Sequence, residues 1–278
     1  MRLATIRTGD GTHAARLDTD TLVELEFADV GELLRAGPDI AAHADRVTGV
    51  EHALEGADFA PVVLDPGKII CVGVNYADHI AEMGRETPAF PTLFAKFTDA
   101  LVGARDPIVL PAVSDAVDWE VELAVVIGRD IRHASLQAAA AAIGGFTVAN
   151  DISMRDWQNR TAQWLQGKTF ERATPVGPVL VTPDEVGGTG PDLELTCEVD
   201  GVLRQRSRTS RLVFGPAAVV SYVSEVVTLR PGDLLLTGTP GGVGHAMDPP
   251  VHLGAGQVVR TTIEGIGELV NKCVPEMP

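Results

Sequence analysis

The run Asp118-Trp119-Glu120-Val121-Glu122-Leu123-Ala124-Val125-Val126-Ile127-Gly128 constrains this chain more than any other. Its apolar, β-branched stretch reads as a strand, and the two-residue period of a strand sends Glu120 and Glu122 to one face. Taken alone, such a strand sits half exposed with both carboxylates in water. If buried, the two carboxylates repel each other and lose hydration, so they persist around a positive charge, for which a divalent cation is the natural candidate.

What lies downstream favours the buried arrangement. Gly144-Gly145-Phe146-Thr147-Val148-Ala149-Asn150-Asp151 is a β-rich run that ends in a third carboxylate. If the chain turns helical after it, Asp151, Arg155 and Gln158 at i, i+4 and i+7 share a face, with Asp151 beside a cation and an amide. Further on, Gly167-Lys168 offers a lysine after a glycine, where backbones can approach closely. Three carboxylates with no Cys or His among them describe a hard-cation site of the Mg²⁺ or Mn²⁺ type, not a zinc site. Ca²⁺ usually takes more protein oxygens than these three provide.

Composition narrows the function classes. A formal net charge of −16 argues against nucleic acid, because phosphate neutralisation needs a basic surface. In so acidic a protein an anionic substrate needs local compensation, which the metal with Arg155, Lys168 and Lys96 supplies. Cys71, Cys197 and Cys273 are scattered and odd in number, giving neither a disulfide framework nor a CxxC metal site. With no apolar run near the roughly 18 residues of a membrane span, and a polar N-terminus unlike a signal peptide, a cytoplasmic location is expected.

The organisation reads as two parts, a small domain over residues 1–66 and a larger one over 67–278. Strand-like stretches at Leu3 to Arg7 and Thr21 to Leu25 flank a Gly9-Asp10-Gly11 turn, followed by a helix around Val30 to Arg35. After Lys68, short β-rich runs dominate, with helices expected at Ser135 to Ile143, Ser153 to Gln166 and Pro216 to Val227, the last also compatible with a buried strand. This is a β-dominated α+β pattern. Arg204 to Arg211 reads as a solvated basic hairpin. Gly238-Thr239-Pro240-Gly241-Gly242-Val243-Gly244 lacks the Gly-Lys-Ser/Thr ending of a P-loop and reads as a tight turn that offers backbone amides and the Thr239 hydroxyl to an anion.

Six separated motifs occur in order: Gly73 to Glu82 with Asn75-Tyr76 and His79, the Asp-Trp-Glu-Val-Glu-Leu strand, Asn150-Asp151 through Gln158, Gly167-Lys168-Thr169-Phe170, Pro175-Val176-Gly177-Pro178, and the Thr237 to Gly244 loop. In these the chain resembles the fumarylacetoacetate hydrolase family. The resemblance implies a mixed β-sandwich roll behind a small N-terminal α+β domain, and a homodimer is expected with it. It also implies that Glu120, Glu122 and Asp151 bind Mg²⁺, that His79 and Glu82 act on a mobile lid, and that Lys168, Arg155, Gln158 and Thr239 meet the substrate. The lid is expected from about Asn75 to Pro91. Two departures, Glu171 where many relatives have Asp and Phe97 after Lys96 where many have Pro, point to a different specificity.

Such a site suits a small anionic α-keto acid, whose enolate a metal stabilises. The expected function is a Mg-dependent hydrolase that cleaves a C–C bond in an acylpyruvate or fumarylpyruvate-like β-diketo acid, with His79, held by Glu82, activating water. The alternative is a decarboxylase or enol/keto isomerase of an α-keto dicarboxylate of the oxaloacetate or 2-hydroxyhepta-2,4-diene-1,7-dioate type. A silent α-keto-acid binding protein would keep the metal but need no general base.

Overall fold

The protein is described by a computed structural model over residues 1–82 and 86–277. The side chains of residues 79, 81 and 82 are not described, so the roles expected for His79 and Glu82 lie outside the described residues.

The strand Val121–Ile127 lies deep in a 12-stranded sheet, antiparallel to Ile143–Asn150 on one side and to Leu234–Leu236 on the other. It is buried at every position. Its apolar run is continuous because both faces are covered. Val121, Leu123 and Val125 enter one core with Leu195, Cys197 and Val259 of a second, five-stranded sheet. Ala124 and Val126 enter another core with Leu33 and Leu34 of the helix Val30–Arg35. That helix is started by Asp29, whose side chain accepts from Glu32 N at 2.6 Å.

The first 66 residues extend the same large sheet. Arg2–Thr8 pairs antiparallel with Thr174–Val181, Leu3 opposite Leu180, and Gly11–Asp18, Thr21–Leu25 and Val47–Ala53 follow outward. A boundary at residue 66 therefore coincides with no break in the sheet. The β-dominated α+β architecture is as the sequence indicates.

Two expectations change. The helix read from Ser153 to Gln166 is two four-residue helices, Arg155–Gln158 and Leu165–Lys168. The chain doubles back between them, so that Gly167 lies on the backbone of Gln158, where any Cβ would overlap it. We expect Gly167→Ala to spread the two helices and destabilise the fold by about 1–3 kcal/mol, the usual cost of overpacking. An unchanged denaturant midpoint would refute that contact. The second change concerns the expected lid. Asn75 is wholly buried, donating to Phe214 O at 3.0 Å and Thr237 O at 2.7 Å and accepting from Phe214 N at 2.8 Å. The chain is thus fixed at Asn75, where the lid was expected to begin.

Candidate active site and metal centre

Pairing register assembles the carboxylates. Val121 faces Asn150 across the ladder, and Asp151 N donates to Glu120 O at 2.9 Å, so the residue after one strand ends beside the start of the next. Glu120, Glu122 and Asp151 each offer an oxygen, and all three oxygens lie within 4.8 Å of one another. All three residues are buried. Isolated, three such carboxylates would be prohibitively unfavourable.

Three cations offset them in part. Lys168 Nζ lies 2.7 Å from both Glu120 Oε2 and Asp151 Oδ2. Lys96 Nζ lies 2.5 Å from Asp151 Oδ1. Arg155 pairs with Glu120 Oε1 at 2.6 Å and, through Nε, with Asp118 Oδ2 at 2.8 Å. Four carboxylates thus face three cations among the described residues, and Glu122 is the acid with no ion pair. It accepts one hydrogen bond, from Gly238 N at 2.6 Å. Burial, then Asp151 and Glu120, push the Glu122 carboxyl well above the usual range. Burial opposes ionisation of Glu120 as well, but Lys168 and Arg155 outweigh it and bring its carboxyl down to about 2. Lys168 stays charged against its burial because Asp151 and Glu120 raise it. An all-oxygen donor set that is one positive charge short fits a hard divalent cation.

The glycine loop is organised differently from the expectation. Its amides serve the protein's own carboxylates. Gly244 N donates to Asp118 Oδ1 at 2.7 Å and His245 N to Asp118 Oδ2 at 3.0 Å, while Gly238 N serves Glu122. Gly238 has φ +100°, which a side chain rarely adopts, and its amide reaches Glu122 from that conformation. Asp118 thereby ties the loop to Arg155. Trp119, wholly buried, adds a donation from Nε1 to Gly242 O at 3.1 Å.

A cavity of about 250 Å³ opens on this cluster, lined by Glu120, Glu122, Arg155, Gln158, Lys168, Thr239 and His245, with Phe94, Trp164 and Gly73 as its apolar wall. A larger hollow of about 950 Å³, lined by Pro107, Val109, Phe170 and Pro275 among others, includes none of the three acids. The acidic cluster borders the smaller one.

The expected residues divide by role. Glu120, Glu122, Lys168, Gln158 and Thr239 meet at the cavity as anticipated. Asp151 does not share a helix face with Arg155; it precedes that helix and meets Lys96 and Lys168 instead. Lys96 has a fully buried side chain behind Asp151, away from the cavity lining. Arg155 lines the cavity, but its nitrogens are held by Asp118, Glu120 and Gln158, the last through Nη1 at 2.9 Å to Oε1. That bond turns the Gln158 amide nitrogen free to donate.

Two site residues escaped the sequence. Asp118 stands in the motif strand but reads there as a strand start. Gln205 belongs to the segment read as a solvated hairpin; Arg206 and Arg208 are indeed exposed ion-pair partners of Glu194 and Asp192, but Gln205 is buried. Its amide donates to Thr239 Oγ1 at 2.8 Å and Pro240 O at 2.9 Å, and its oxygen accepts from Val121 N at 3.0 Å. With Thr239 Oγ1 accepting from Gln205, the threonine's own proton is available to the cavity.

Two packed β-sheets that hold a buried carboxylate cluster at the base of a small cleft define the class of this protein. The chain belongs to the fumarylacetoacetate hydrolase family: its residues 68–274 match the family described as fumarylacetoacetate (FAA) hydrolase C-terminal. It is 48% identical over 217 residues, 78% of this chain and 69% of the relative, to the mitochondrial oxaloacetate tautomerase Fahd2a of Rattus norvegicus. Among solved structures, 2-hydroxyhepta-2,4-diene-1,7-dioate isomerase from Mycobacterium marinum is similar at TM-score 0.82 and 36% identity, over 100% of both chains. A fumarylacetoacetate hydrolase from Exiguobacterium antarcticum is similar at TM-score 0.89 and 31% identity, over 99% of this chain and 100% of that one. These relatives are named as enzymes. No helix among the described residues is long and apolar enough to cross a membrane.

Proposed function

We propose that this protein catalyses keto–enol isomerisation of a 2-oxo dicarboxylate of the oxaloacetate type, with Mg²⁺, or Mn²⁺ in its place, held by Glu120, Glu122 and Asp151. The observation that carries this reading is the charge deficit centred on Glu122 at a cavity with two free neutral donors, Gln158 and Thr239. The names of the tautomerase and the diene-dioate isomerase rank isomerisation above the C–C hydrolysis expected from the sequence.

Held by Glu120, Glu122 and Asp151, a divalent cation would supply fixed positive charge for an enolate oxygen. The protein's own groups do the rest. Gln158 and Thr239 donate to substrate oxygens and set its orientation. Lys168, with its Nζ 5.0 Å from the Phe94 ring centroid, keeps Glu120 ionised and holds Glu120 and Asp151 in place. Phe94 and Trp164, in edge contact at 5.6 Å between centroids, exclude water from that side. For the proton transfer at carbon we propose His79 with Glu82, the pair expected from the sequence to activate water in hydrolysis.

The test follows the enol form of oxaloacetate by ultraviolet absorbance with Mg²⁺ and with a chelator, alongside acylpyruvate cleavage by product analysis. We expect metal-dependent tautomerisation, lowered on the order of 10² to 10⁴ by His79→Ala. Efficient acylpyruvate cleavage without tautomerisation would return the reading to hydrolysis.

A further inference from the structure

The cations of the cavity are already committed. Lys168 is shared by Glu120 and Asp151, and Arg155 by Asp118, Glu120 and Gln158. The loop amides of Gly238, Gly244 and His245 are committed as well. A substrate carboxylate away from the acids therefore needs a donor that no protein acid holds. His245 is the ionisable member of the lining that meets this condition: its imidazole makes no hydrogen bond among the described residues and is exposed at the cavity rim.

Its placement is fixed without use of the ring. The backbone amide is gripped by Asp118 Oδ2, the same oxygen that holds Arg155 Nε at 2.8 Å, so His245 lies one guanidinium away from Glu120. The ring stacks on His252, centroids 6.1 Å apart at an interplanar angle of 26°. A backbone anchor and a stacked neighbour orient an imidazole whose nitrogens remain available. Among the described residues no carboxylate partners the ring, as one would partner a proton-transferring histidine. The arrangement suits recognition of an anion.

We propose that His245 is a specificity-determining residue that donates to the second carboxylate of the substrate and selects dicarboxylic over monocarboxylic 2-oxo acids. This rests on the isomerase reading above. Burial, and then the Arg155 charge, lower the imidazole below its ordinary value, so at neutral pH it offers one N–H as a neutral donor.

The experiment compares oxaloacetate with 2-oxobutanoate, which carries a methyl group in place of the second carboxylate, by NMR exchange of the carbon-3 protons for deuterium. With Mg²⁺ present, His245→Ala is expected to lower the ratio of kcat/KM for oxaloacetate to that for 2-oxobutanoate by about 10- to 100-fold, the worth of a hydrogen bond to a charged group. The loss should lie in KM, and His245→Gln, whose amide also donates, should restore part of it. An unchanged ratio in the alanine variant, a loss confined to kcat, or no recovery with glutamine would each overturn the proposal. Wild-type protein inert toward both acids would instead overturn the isomerase reading, and this inference with it. Mg²⁺ titration of each variant by calorimetry checks that the fold and the acidic cluster survive.

Discussion

Glu122→Gln is expected to lower activity by about 10³-fold or more, while making the metal-free protein more stable. Both effects come from the same charge imbalance. With the cation bound, Glu122 supplies the negative charge that no lysine or arginine of the described cluster neutralises, and losing several kcal/mol of fixed charge stabilisation corresponds to that factor in rate. Without the cation, the same carboxylate is buried beside Asp151 and Glu120 and resists ionisation.

The pH dependence has a definite sign. A carboxyl raised in the folded state holds its proton after the unfolded chain has lost it, so the folded form binds more protons and stability falls as pH rises. In chelator, wild-type thermal stability should therefore decline from the ordinary carboxylate range up to the raised Glu122 value. Mg²⁺ should remove that decline, and Glu122→Gln should lack it. Glu120, brought down to about 2, acts oppositely and is lost only in strong acid. Melting temperatures against pH, with chelator and with Mg²⁺, check this. Equal stabilisation of the Gln variant and the wild type by Mg²⁺ would sink the assignment of Glu122 as a ligand.

The second large effect is expected at Asp118. Its oxygens accept from Trp119 N at 2.8 Å, Gly244 N at 2.7 Å, His245 N at 3.0 Å and Arg155 Nε at 2.8 Å. Asp118→Asn would turn an NH₂ toward two of these donors and leave the buried guanidinium short of a counter-charge. Breaking a buried pair in this way costs about 3–5 kcal/mol. Denaturant unfolding should register it, together with a drop in kcat/KM as the loop bearing Thr239 loses its tether to Arg155. A change below about 1 kcal/mol would show that the loop is held by something else.

The triad was legible because two-residue alternation needs no knowledge of distant contacts: Glu120 and Glu122 share a face wherever the strand lies. Asp151 was legible as the end of a β-rich run, though its partners were not. Lys96 comes from a strand whose place is set by pairing with Ile69–Gly73, and nothing local aims its side chain at Asp151. The break after Gln158 was hidden because residues 159–164 contain neither Gly nor Pro; close packing of Gly167 on Gln158 imposes the reversal. Gln205 was lost among arginines, since one inward side chain in a charged hairpin is visible only once the facing loop is known.

Asp118 grips residue 245 by its backbone amide, a group that every residue except proline carries. The frame of the cavity is therefore indifferent to the side chain at this position. A mutation there can redraw one end of the binding surface while Arg155, Thr239 and the acids keep their places. Position 245 is thus a socket, in which the side chain can be exchanged while the hydrogen bond that seats it stays the same.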